Sequence, residues 1–195
     1  MISFLNLAVV GLILSTFTTR FIFPMISLEG RRMWILGMLP LKRDSILWGK
    51  FLFAASGSAL PSCLLILLSD LMLRISPLIV LIHQLICLLL CVGLSGIAVG
   101  LGAKMPDLRE ESPSKIAAGF GGTLCLVISA GYIVLIVLST ALPSHFYLST
   151  LTSDFDPYWV QAWLAAGTAA AIALGLVATF VPMAIGLRAF RAMEL

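Results

Sequence analysis

Apolar residues fall into five blocks along the chain, at about residues 2–19, 51–73, 77–103, 116–142 and 159–187, separated by shorter stretches that hold most of the charge. A helix needs about 20 apolar residues to cross a hydrocarbon core of ~30 Å, so each block predicts a transmembrane helix. The first is at the short end of that range, while the last three have surplus length for tilt or kinks. The predicted fold class is all-α: a polytopic membrane protein with a single domain over 1–195, built of five transmembrane helices plus one or two short cytoplasmic interfacial helices.

Composition supports this class. Of 195 residues, 61% are hydrophobic and 11% charged, and the mean hydropathy of +1.11 lies far from that of a soluble domain. The net charge of +3 does not point to nucleic acid, because the cations sit in short loops and form no basic stripe on a polar helix. Their distribution is topological. Six of the twelve Lys and Arg lie in 20–50, three in 104–115, two at Arg188 and Arg191, one at Arg74, and none in 143–158. Alternating loops therefore collect eleven on one side, which predicts an N-terminus outside, a C-terminus inside and an extracytoplasmic loop at 143–158. Before the first block there is no basic residue, and after it no small-x-small cleavage site, so it reads as a retained span.

The stretch 20–50 carries Arg20, Arg31, Arg32, Lys42, Arg43 and Lys50 among aromatic and aliphatic residues too numerous for a solvated linker. Such a segment belongs at a membrane surface, cations toward phosphate or a partner and apolar side chains in the acyl boundary. Over residues 25–39 the wheel is not cleanly amphipathic, because Arg32 falls among Met25, Ile35, Leu36 and Leu39. Either the helix is sandwiched between lipid and partner, or Gly30 and Gly37 divide it.

Gly96 and Gly100 form a GxxxG in the third block, and Gly167, Ala171 and Gly175 line the fifth; small residues let helices approach closely in lipid. Pro61 predicts a bend in the second. Ser112 before Pro113 is a helix start, and Gly119, Gly121 and Gly122 just after it imply close backbone packing or a break. Tyr158 and Trp159 suit a boundary anchor.

Chemistry is sparse. No Walker, GxSxG or HExxH pattern occurs, and the cysteines, Cys63, Cys87, Cys91 and Cys125, lie in apolar runs without metal-ligand spacing, so they read as small hydrophobes. Asp70 and Arg74 have the four-residue spacing of a helical ion pair. His83, with Gln84, lies inside the third block, where an ionisable group reads as a functional site or, better, as a helix–helix hydrogen bond or an interfacial position. The apolar interior lacks the charges expected of a proton- or sodium-driven transporter. No catalytic, cofactor or metal site is predicted.

Two stretches carry a family resemblance. RFIFPMISLEGRRMWILGMLPLKRDSILWGKF resembles the cytoplasmic segment of permease subunits of bacterial type-2 ATP-binding cassette exporters: Phe-Pro, Ser-x-Glu-Gly, an aromatic, Leu-Pro, then Gly-Lys. The second, MPDLREESPSKIAAGFGGTL, is similar to that group's Pro-Asp-x-Arg-Glu-x-x-Pro-x-Lys-Ile-Ala-x-Gly-x-Gly-Gly. The resemblance implies a transmembrane permease of the bacterial cytoplasmic membrane, with a separate cytoplasmic ATPase holding the ATP. By that analogy Ser27, Glu29, Gly30, Arg31 and Arg32 fall on the contact with the ATPase. Pro106, Asp107, Arg109, Glu110, Pro113, Lys115 and Gly119 form a second cytoplasmic motif of unassigned role. Permeases of this group are longer, with this portion at the C-terminal end. A second copy or a missing N-terminal half is expected to supply further helices, and the chain is a fragment, a split subunit or one with a mis-assigned start. The alternative is a non-transporting membrane scaffold or assembly subunit. The substrate is not legible, since apolar walls fit lipids, drugs and peptides alike.

Overall fold

The computed structural model describes residues 2–32, 43–150 and 157–192, and side chains within 5–30, 44–143 and 162–192. Six α-helices follow one another among these residues: α1 (Ile2–Phe17), α2 (Arg43–Met72), α3 (Pro77–Lys104), the short α4 (Pro113–Ala118), α5 (Phe120–Thr150) and α6 (Pro157–Ala192). Among the described residues five stretches are long and apolar enough to cross a membrane: Leu5–Gly30, Asp44–Met72, Pro77–Lys104, Phe120–Pro143 and Ala162–Ala192. The all-α five-helix bundle expected from the apolar blocks is thus the observed fold.

Several boundaries differ from those expected. After Phe17 the chain does not leave the helical path at Arg20: a π-helical turn (Thr18–Ile22) leads into 3-10 turns at Phe23–Met25 and Ser27–Arg32. Ile22, Phe23 and Ile26 are buried in that continuation, and their burial is what holds the tighter and wider turns on the bundle. Helix α2 is already formed at Arg43, ahead of the apolar block, since a helix runs through polar residues once packing fixes its axis. Likewise α5 runs through Pro143 to Thr150 and α6 begins at Pro157, which shortens the expected 143–158 loop. The side chains of Tyr158 and Trp159, and residues 33–42 with Ile35, Leu36, Gly37, Leu39 and Lys42, lie outside the described residues.

Cross-contacts fix the helix directions. Thr19 meets Cys125 and Gly11 meets Ile133, so α1 and α5 are antiparallel. Asp70 meets His83 and Cys63 meets Cys87, so α2 and α3 are antiparallel. Gly96 meets Thr179 and Gly100 meets Pro182, the two numbers rising together, so α3 and α6 run parallel. Consecutive spans therefore alternate, and Arg20, Lys50, Lys104, Lys115, Arg188 and Arg191 converge on one end of the bundle. At this end Arg191 Nε donates to Asp44 Oδ1 at 2.7 Å and its guanidinium closes a second bond to Oδ2, tying the end of α6 to the start of α2.

Helix α3 is the axis of the bundle; Leu90, Leu94, Ile97 and Ala98 along it are fully buried. Glycine is required where α3 touches α6: a Cβ on Gly96 would stand 2.8 Å from the Thr179 Cα, and one on Gly100 only 2.3 Å from the Pro182 carbonyl oxygen. Backbones meet there without intervening side chains, the close approach on which helix association in lipid depends. The expected GxxxG packing is therefore present, and its partner is α6. Tyr132 on α5 fills the groove over Gly93 and donates its hydroxyl hydrogen to the Leu89 carbonyl at 2.7 Å.

At the opposite end, Asp70 does not pair with Arg74. Arg74 takes a left-handed conformation (φ 50°) in the tight α2–α3 turn, closed by the Ile75 N–H on the Asp70 carbonyl at 3.3 Å. The Asp70 carboxylate instead accepts from His83 Nδ1, 2.9 Å from Oδ2 and 3.1 Å from Oδ1. With side chains 2% and 0% exposed, the two groups exclude solvent from their bond, so the helix–helix hydrogen bond expected of His83 is made, to an acid on α2. Gln84 beside it donates to the Cys63 carbonyl at 3.2 Å.

Candidate functional site

The cation-rich end brings the two sequence motifs together although 80 residues separate them. Ser27 opens the 3-10 stretch Ser27–Arg32 and is buried. Its Oγ accepts the backbone N–H of Asp107 at 3.0 Å. Next to it Gly30 lies so close to the second motif that a Cβ would stand 3.0 Å from the Leu108 carbonyl oxygen. Backbone against backbone at this point explains the glycine better than any turn requirement, since its φ is not positive. Loss of the hydroxyl in Ser27→Ala leaves the Asp107 N–H without that acceptor and is expected to cost about 1 kcal/mol, read as a lower unfolding midpoint in detergent.

Glu29 forms an ion pair with Lys50 on the first turns of α2. Lys50 is almost enclosed (11% exposed) and Glu29 is partly open (34%), yet its carboxylate turns inward: Oε1 is held by Lys50 and Oε2 is buried, so the pair anchors the segment. Arg31 and Arg32 end the 3-10 stretch, and their side chains lie outside the described residues.

The second motif builds its own loop. Pro106 is half-buried. Asp107 Oδ1 accepts the backbone N–H groups of Arg109 (3.1 Å) and Glu110 (3.3 Å), an Asx turn that reverses the chain after α3. Glu110 Oε1 accepts the Ser112 N–H at 3.1 Å and Oε2 lies 3.5 Å from Lys115 Nζ. Pro113 then starts α4 with Ser112 as its N-cap residue, and Gly119 ends it in an extended conformation before α5 resumes at Phe120. Both outcomes expected of the glycine run occur. The helix breaks at Gly119, and backbones or rings press on the next two: Phe23 Cζ would lie 2.8 Å from a Cβ on Gly121, and the Ala117 carbonyl 2.0 Å from one on Gly122.

Phe23 and Pro24, both buried, form the wedge that joins these parts. The Phe23 carbonyl sits over Gly102 of α3, 2.6 Å from where its Cβ would be, and the Phe23 ring sits against Gly121 of α5. Sequence reasoning noted the Phe-Pro pair only as part of a resemblance. The signal that could have found the wedge is an aromatic-proline pair with separate glycines at the ends of two other apolar blocks.

Leu28 (44% exposed) and Leu108 (43%) stand on the surface of the joined motifs, with exposed Lys104 and Arg109 near them in the chain. Among the described residues there is no β-strand, and no three His, Cys, Asp or Glu are placed to hold a metal ion. This end thus presents two exposed apolar side chains and exposed cations on an internally braced loop pair.

A membrane-embedded, all-helical chain with five candidate spans is consistent with a permease-type subunit. A family model described as "Putative ATP-binding cassette" matches residues 1–195, and the chain belongs to this family of ABC-transporter proteins. Comparison with curated proteins and with solved structures gave no match.

Proposed function

We propose that this chain is the transmembrane permease component of an ATP-binding cassette exporter, with its cation-rich end in the bacterial cytoplasm and its N-terminus outside. A partner ATPase docks on the surface formed by 27–32 and 106–110. The observation that carries this reading is the Ser27–Asp107 hydrogen bond with Gly30 seated on Leu108. It makes one rigid body of two loops that leave different helices, so a push on either moves α1, α2, α3 and α5 together.

The mechanism follows from that linkage. ATP-driven closure of the partner presses on Leu28 and Leu108, apolar groups suited to a groove, while Glu29 and the neighbouring cations set the register by charge. The Phe23–Pro24 wedge passes the displacement to Gly102 and Gly121, and the helices tilt as bodies, opening a substrate path outward at the bundle or subunit interface. The chain hydrolyses nothing itself. A non-transporting scaffold would present its small-residue faces to other proteins. Gly96, Gly100 and Gly186 are instead occupied within the chain, which favours the permease.

The test is co-purification with the ATPase and its turnover. Reversing Glu29→Lys together with Arg31→Glu is expected to weaken association about tenfold and change basal ATPase turnover. Since Glu29 also holds Lys50, a Glu29→Lys, Lys50→Glu exchange separates the roles: it keeps an internal pair but inverts the surface charge, and the coupling defect should persist. Full recovery in the exchange variant would assign Glu29 a structural role only, and absence of any ATPase association would favour the scaffold.

A further inference from the structure

A cavity of about 430 Å³ opens beside the π-helical turn, between it, α4 and the first turns of α5. Thr19, Arg20, Phe21, Ser114, Ala118 and Leu126 line it. Its size falls within the ~300–1,000 Å³ range of sites for small amphiphilic ligands. The surface around it is lipid-facing: Phe21, Leu126 and Phe120 are all well exposed.

Arg20 makes the cavity unusual. Thr19 meets Cys125 across the α1–α5 contact, so Arg20 stands level with the first turns of α5, roughly 7 Å further into the span than the break at Gly119. A cation at that depth is costly unless it reaches a counter-charge. Among the described residues no ion pair to Arg20 forms: Glu29 is held by Lys50, Asp44 by Arg191 and Asp70 by His83, Glu110 lies by Lys115, Asp107 caps its own turn, and Glu111 is engaged elsewhere. No Asp or Glu lines the cavity. Arg20 is exposed, so an anion on the lipid side can reach it.

We infer that the cavity is a binding site for a net-anionic phospholipid of the leaflet at the cation-rich end. The phosphodiester sits on the Arg20 guanidinium, which presents paired N–H donors to two phosphate oxygens; Ser114, hydrogen-bonded to Ser112 at 2.9 Å, also lines the cavity. One acyl chain runs along the apolar wall of Phe21, Ala118 and Leu126. A zwitterionic lipid is disfavoured, because its ammonium would enter a site whose lining carries a cation and no acid. Basic pockets between membrane helices at the cation-rich side select headgroups in this way. The site is built by the π turn: the extra residue in that turn brings Arg20 and Phe21 beside α4, where a regular helix would displace them around the axis.

The experiment is titration of the purified protein in detergent with phosphatidylglycerol and phosphatidylcholine of identical acyl chains, read by native mass spectrometry. The first phosphatidylglycerol adduct is expected to form with an apparent Kd about tenfold below that of phosphatidylcholine. Arg20→Gln should bring the two lipids level and Arg20→Lys should keep most of the preference. Ala118→Trp, which fills the apolar wall, should weaken the first adduct of both lipids with Arg20 intact. Equal affinity for the two lipids in the unaltered protein, or a preference that survives Arg20→Gln, would overturn the assignment. So would displacement of phosphatidylglycerol by inorganic phosphate at equal concentration, since the site would then hold an anion without a chain.

Discussion

Gly100→Val is expected to abolish the folded, monodisperse protein, the largest effect of any single substitution considered. Even the first carbon of the new side chain would stand 2.3 Å from the Pro182 carbonyl oxygen, 2.4 Å from its carbon and 2.9 Å from the Met183 nitrogen. These are backbone atoms of α6, so no rotamer change makes room. Helix α3 must withdraw instead, and the dispersion contacts along the whole α3–α6 seam weaken with distance. Overpacking usually costs about 1–3 kcal/mol; here the clash lies between two backbones and the cost should exceed that range. Pro182, inside α6, adds local stiffness because its ring fixes φ. The readout is size-exclusion chromatography of detergent extracts after heating. Gly131→Ala is the control: nothing lies within 4 Å of its would-be Cβ, so the substitution should hold stability or raise it by up to about 1 kcal/mol through helix propensity, seen as an unchanged or higher midpoint. Similar loss in both variants would refute close backbone packing as the reason for Gly100.

His83→Ala is expected to be the second most damaging change, at about 3–5 kcal/mol, because it leaves the Asp70 carboxylate buried without the donor that holds it. For a chain of this length that corresponds to roughly 6–20 °C in midpoint at about 2–4 °C per kcal/mol. Asp70→Asn should cost less, since an amide oxygen still accepts from His83 Nδ1. The combined Asp70→Leu, His83→Leu variant should recover much of the loss, because removing both partners of a buried pair is often close to neutral. Additive losses in that double variant would show that the two side chains do not act as a pair. Transport measured beside stability separates a clamp between α2 and α3 from a working part: a clamp moves only stability.

How far the sequence could be read depends on the range of the forces involved. The alternation of apolar blocks and cationic loops is a local property, set by the cost of placing backbone and charge in hydrocarbon, and it was sufficient for the five helices and the helix start at Ser112 and Pro113. The break at Gly119 was legible for the same reason, since three glycines in four residues weaken a helix wherever they occur. Asp70 was misjudged because Arg74 is its neighbour at helical spacing, and spacing assumes that the helix continues. The tight turn after Met72 ends it, and Asp70 then meets the next helix. The continuation of the first span through the π and 3-10 turns was also hidden, because Thr18, Thr19 and Arg20 look like a polar exit until Thr18 and Thr19 are seen to be buried.

The two motifs are legible singly as a resemblance, and a family model matches residues 1–195. Their junction is not. Nothing in SLEG or PDLRE says that the Ser27 hydroxyl accepts from Asp107, that Glu29 holds Lys50, or that Phe23 bridges Gly102 and Gly121. By itself the sequence determined the class, the number of spans and the side of the bundle on which positive charge collects, because hydrophobicity and charge act on each segment separately. Only the tertiary structure decided which glycine faces which backbone, which acid holds which base, and that Arg20 is left beside an open apolar cavity, because those pairings depend on how helices distant in the chain are rotated against one another.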